Sequence, residues 1–90
     1  MQDLVLIPLS QRQRTILELL YQFLEQKYYP PTNSEIQEAA GLKNPGLVFK
    51  VLVALERKGY IHRVKGKHRS IRLTDTGIRF ISESRQPDLF

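Results

Sequence analysis

The chain has no cysteine, two histidines and no apolar run long enough to cross a bilayer. Without cysteine there are no disulfides and no thiolate metal sites. His62 and His68 have no carboxylate pair beside them, so no metal site is expected. A membrane helix needs about 18 or more consecutive apolar residues, so no span is expected either. The short apolar run Leu4 to Ile7 lacks a basic start and a small-residue cleavage site, so residues 1–9 read as an extended arm, not a signal peptide. There is no nucleophile elbow, no glycine-rich phosphate loop and no coupled Ser-His-Asp set. Neither an enzyme nor a cofactor is expected. No internal repeat or low-complexity tract is present. The most telling gap is in charge: no Asp or Glu lies between Arg57 and Thr74.

That acid-free stretch contains Arg57, Lys58, Arg63, Lys65, Lys67, Arg69 and Arg72, half of the 14 Lys and Arg in the chain. Ninety residues make one small domain. Burial at this size is modest, so stability depends on good packing or on a second copy. The net charge is +5 and the pI about 9.8, which favours a polyanionic partner.

Local patterns give the element order. Ser10 with Gln13 forms a capping box, and a first helix runs to about Lys27 with Ile16, Leu19, Leu20, Phe23 and Leu24 inward. Pro30 and Pro31 end it. Thr32 with Glu35 is a second capping box, opening a helix to about Ala40 with Ile36 and Ala39 or Ala40 inward. Gly41 stops that helix in a left-handed conformation. Asn44 and Pro45 are a good N-cap and first residue for a third helix to about Lys58, ended by Gly59. Strands are expected at Tyr60 to Val64 and Ile71 to Leu73, around a tip from Lys65 to Ser70. A last short helix carries Ile78, Phe80 and Ile81. Tyr21, Tyr28, Tyr29 and Tyr60 read as packing residues with wet hydroxyls. The expected fold is mainly α with a small β-hairpin, a winged helix-turn-helix in the order ααα–ββ–α, spanning residues 10–85 before a flexible tail, 86–90.

The usual partner of this shape is duplex DNA, because one helix fits the major groove and a cationic ribbon can lie along phosphates. In the third helix, Val48, Val51, Leu52 and Leu55 form the core stripe at about 100° per residue. Gly46, Lys50, Val53 and Arg57 lie opposite, with Leu47 and Phe49 on the flanks. Asn44 and Lys50 are the polar readers. Leu47 or Phe49 can touch thymine methyls, and Gly46 permits close backbone approach. The alternative is an apolar patch for another protein or a second copy, centred on Leu47, Phe49 and Val53. In the wing, Arg63, Lys65, Lys67, His68, Arg69 and Arg72 are candidate DNA contacts, through phosphates or an arginine in the minor groove. The alternative is a solvated, charge-rich hairpin. Arg12 and Arg14 are poorly placed for the helix dipole, so they serve either a phosphate or the ordinary surface.

Several segments resemble the N-terminal DNA-binding domain of LexA-type repressors. They are Leu9-Ser10 with Arg12-Gln13, Pro30-Pro31-Thr32, Glu35-Ile36, Gly41-Leu42, Pro45, Leu52, Ala54-Leu55, Arg57-Lys58-Gly59 and Ile71-Arg72-Leu73. The resemblance implies a winged helix-turn-helix that places its third helix in the major groove, acting as a dimer on paired half-sites. It departs from the family pattern at Gly46, Leu47 and Phe49, where LexA repressors place polar side chains, so the LexA operator does not transfer. LexA proteins continue into a self-cleaving Ser/Lys protease domain, whereas the chain ends at Phe90, so self-cleavage is not expected.

The expected function is sequence-specific DNA binding by a transcriptional regulator, a repressor acting by occupancy. It would be cytoplasmic and nucleoid-associated, or of phage or mobile-element origin. Homodimerisation would use the Leu4–Ile7 arm, the helix around Ile78, Phe80 and Ile81, or the face at Phe49 and Val53. A different reading is a replication or repair accessory module that binds a protein partner. Gln86-Pro87-Asp88-Leu89-Phe90 resembles the short sliding-clamp-binding peptide of bacterial replication and repair proteins. Leu89 and Phe90 would fill an apolar cleft and Gln86 would bond at its rim; otherwise the tail folds back or frays.

Overall fold

A computed structural model describes residues 8–27, 29–67 and 69–85. The Leu4–Ile7 arm, Tyr28, His68 and the tail residues Gln86, Leu89 and Phe90 lie outside the described residues. The elements are α1 (Gln11–Gln26), α2 (Asn33–Ala40), α3 (Pro45–Arg57), β1 (Ile61–His62), β2 (Arg72–Leu73) and α4 (Asp75–Arg85).

Each of the first three helices begins where its cap dictates. The Ser10 hydroxyl accepts the Gln13 amide at 3.1 Å, and the Gln13 side chain accepts the Ser10 amide at 3.2 Å. Thr32 and Glu35 repeat that exchange for α2 at 3.1 and 2.9 Å. Asn44 Oδ1 accepts the Leu47 amide at 3.0 Å ahead of Pro45 in the first turn of α3. These bonds satisfy amides that a helix start otherwise leaves without partners. Gly41, at φ +69°, turns the chain from α2 toward α3. A side chain there would be strained, which is why glycine suits this turn.

α1 packs against α2, α3 and α4. The core takes Ile16, Leu17 and Leu20 from α1, Ile36 from α2, and Val48, Val51, Leu52 and Leu55 from α3. Tyr60, Ile61, Ile71 and Ile81 close it. The α3 stripe is as expected. On α1 the buried line is shifted: Leu17 is fully buried, while Leu19, Phe23 and Leu24 are only half-buried. The reason is that α1 is covered from two directions, by the helix-turn-helix and by α4. Ala40 packs on the core and Ala39 is exposed.

The hairpin is shorter than expected, with two residues per strand and the antiparallel register Ile61↔Leu73 and His62↔Arg72. Side chains take the bonds a longer ladder would use. The Arg63 amide donates to Glu56 Oε2 at 3.4 Å. The Ser70 hydroxyl accepts the Val64 amide at 3.0 Å and donates to the Val64 carbonyl at 3.1 Å. Tyr60, expected in the first strand, instead donates its amide to the Leu55 carbonyl at 2.9 Å and finishes α3.

Thr74 joins the hairpin to α4. Its hydroxyl donates to the Gly59 carbonyl at 2.6 Å and accepts the Gly77 amide at 3.1 Å. Gly77 sits against the Tyr60 carbonyl oxygen so closely that a Cβ there would collide with it. The Tyr60 ring meets Phe80 edge-on with centroids 5.4 Å apart.

Candidate nucleic-acid interface

With Val48, Val51, Leu52 and Leu55 in the core, the helical period turns Gly46, Lys50, Val53 and Arg57 outward. Gly46, Lys50 and Arg57 are exposed and Val53 is half-buried among them; Leu47 is half-buried on the flank. Phe49 is 54% exposed, the largest exposure among the big hydrophobic side chains described. Asn44 is exposed, but its carbonyl oxygen is occupied by the cap to Leu47. Gly46 packs close to that same oxygen, where an added Cβ would come within 3.2 Å.

The acid-free stretch is not free of acid partners. The Arg63 guanidinium pairs with Glu56 Oε1 at 3.2 Å and lies 5.6 Å from the centroid of the Phe49 ring. Arg69 pairs with Glu35 at 2.9 and 3.1 Å, donates to the Pro30 carbonyl at 3.0 Å and covers the Tyr29 ring at 4.5 Å. This bidentate contact ties the wing to the start of the helix-turn-helix. The bond from Arg69, then the Thr32 amide, hold the Glu35 carboxyl below its ordinary 4.5, and Glu35 in turn raises the Arg69 guanidinium. Arg69 itself has φ +52°, a conformation non-glycine residues seldom adopt. Lys58 is also engaged, donating to the Pro8 carbonyl at 2.8 Å and to Gln13 Oε1 at 2.7 Å.

Arg57, Lys65, Lys67 and Arg72 remain exposed and without ion pairs among the described residues. Sequence reasoning grouped all the wing cations together; the structure divides them into ties and open charges. The holders Glu35 and Tyr29 lie far from Arg69 in sequence, and Glu56 reaches Arg63 across the end of α3, so no local pattern announces them. An open groove of about 760 Å³ runs between the first turn of α1 and the α2–α3 turn, lined in part by Arg12, Gln13, Gly41, Leu42 and Lys50. It places Arg12 beside the outward face of α3. Arg14 lies elsewhere, over the Phe80 ring at 5.3 Å.

The expected dimer surface on α4 is reduced. Ile81 is fully buried in the core and Phe80 packs against it; only Ile78, 44% exposed, points outward. Among the described residues no helix is long and apolar enough to cross a membrane.

The architecture has counterparts among solved structures. A mutant of MepR from a multidrug resistant S. aureus clinical isolate superposes with a TM-score of 0.73 at 26% identity, over 98% of this chain and 64% of that one. A second S. aureus MepR mutant gives 0.67 at 25% identity, over 83% and 55%. In sequence, the LexA repressor of Geobacillus kaustophilus is 46% identical over 67 residues, 74% of this chain and 32% of that protein. The LexA repressor of Halorhodospira halophila is 45% identical over 67 residues, 74% and 30%. That of Thermobifida fusca is 38% identical over 65 residues, 72% and 26%. The chain thus spans about a quarter to a third of the length of these repressors. The model of the LexA DNA-binding domain matches residues 7–70. With that match over most of its length, on a winged helix-turn-helix frame, the chain belongs to the LexA DNA-binding domain family.

Proposed function

We propose that the chain is a sequence-specific duplex-DNA reader of a transcriptional repressor. α3 enters the major groove and the wing follows the adjacent backbone. The observation that carries this reading is the outward face of α3, with Lys50 and Arg57 exposed on it, followed along the chain by the open wing charges of Lys65, Lys67 and Arg72. Lys50 donates to guanine O6 or N7. Lys65, Lys67, Arg72 and Arg12 meet phosphates, and Arg63 and Arg69 hold the wing in position for them. The LexA relatives are named repressors, and repression here would follow from occupancy of the site.

One module of this kind covers only about 600–1,000 Å² of DNA, too little for high specificity alone. Two copies on one site would double the contacts and fix the half-site separation. Selection of bound sequences from a random duplex pool tests both statements. The expected result is one enriched half-site, repeated as an inverted pair at a fixed spacing. A pool that stays random after selection would overturn sequence-specific reading; a single unpaired site would overturn the homodimer.

A further inference from the structure

We propose that the recognition helix selects thymine, through contact between the Phe49 ring, with Val53 beside it, and the C5-methyl group in the major groove. This rests on the DNA reading above and names the base class it would read.

The outward surface of α3 is poor in polar readers. Between Pro45 and Val53 the only polar side chain is Lys50. Asn44, just before the helix, has its carbonyl oxygen occupied by the cap. Bidentate hydrogen-bond readout therefore has little to work with. What the helix offers instead is apolar surface. Phe49 is more than half exposed, and Val53 lies one turn further along the same flank.

The ring is also held in place. The Arg63 guanidinium lies over it at 5.6 Å, and Glu56 holds that guanidinium at 3.2 Å. A ring already fixed by its neighbours loses little freedom on binding. The Glu56–Arg63 pair cancels charge next to the ring, while Lys50 and Arg57, on the outward face of the same helix, are exposed without ion pairs among the described residues. An apolar spot on a helix face that carries unpaired cations matches an apolar group carried on a polyanion. In the major groove the thymine methyl is such a group, since the other base edges there present hydrogen-bonding atoms. A protein partner for Phe49 would instead need an acidic rim around its own apolar contact.

Replacing thymine with deoxyuridine removes this methyl and leaves base pairing intact. The test measures affinity for the best selected duplex, swapping each thymine singly. Burial of one methyl-sized group predicts about a fourfold loss at one or two positions. With Phe49→Ala, overall affinity falls, but the same swap at those positions changes almost nothing. Phe49 is exposed, so its removal leaves the core intact, and the swaps on the unaltered protein need no variant at all. If every swap is neutral, or if the penalty persists in Phe49→Ala, the methyl contact is wrong while DNA reading stands. If no duplex is preferred over the pool, both are wrong.

Discussion

Seven cations lie between Arg57 and Arg72, and at least three are tied to the protein itself: Lys58, Arg63 and Arg69. Charge alone does not say which is which, because a guanidinium can serve a phosphate or a carboxylate with the same bidentate geometry. The partner decides. Glu35 has two duties, closing the capping box of α2 and holding Arg69. Arg69 keeps its carboxyl below the ordinary 4.5, so the folded protein binds this proton less readily than the unfolded chain. The contribution of the pair to stability is therefore complete above about pH 4.5 and is lost as the pH falls through the lower folded value. Glu35→Gln keeps a capping side chain but removes the charge. Thermal melts should show it less stable than the parent at pH 7, with a smaller difference at pH 3. An equal difference at both pH values would show that the ion pair contributes nothing.

At the scale of elements, helix starts were legible and wing details were not. Ser10–Gln13, Thr32–Glu35 and Asn44–Leu47 each join residues three apart, so the cap can be read wherever the pair occurs. The core stripe of α3 was legible because its period is fixed by helix geometry. Leu17 was not, since only the packing of α4 shows that α1 is covered on a second side. Strand length was hidden by the Ser70 hydroxyl, which takes both backbone groups of Val64. The Arg69–Glu35 pair spans 34 positions, and no local pattern announces it. The junction of β2 with α4 was also invisible in sequence. There Gly77 allows the first turn of α4 to press on the Tyr60 carbonyl, and Tyr60 in turn braces Phe80. Gly77→Ala forces these elements apart and should destabilise the fold by about 1–3 kcal/mol in denaturant unfolding, despite alanine being the better helix former. A neutral or stabilising change would mean that α4 shifts without cost and does not brace the core.

For the whole molecule, the proposed DNA reading implies a division of labour. In it, α3 would offer Lys50 and the Phe49 ring to the bases. The wing presents open charges on a frame that Arg63 and Arg69 fasten to α3 and α2. A wing fixed before binding can add phosphate contacts without first being ordered. That division is the central claim, and the salt dependence of duplex binding measures it directly. Each phosphate contact contributes close to one unit to the slope of log affinity against log salt. Replacing Lys65, Lys67 and Arg72 together by alanine should flatten the slope by about three units, while Arg69→Ala should leave it within about half a unit of the parent. An unchanged slope in the triple variant, or a full unit lost on removing Arg69, would contradict the account.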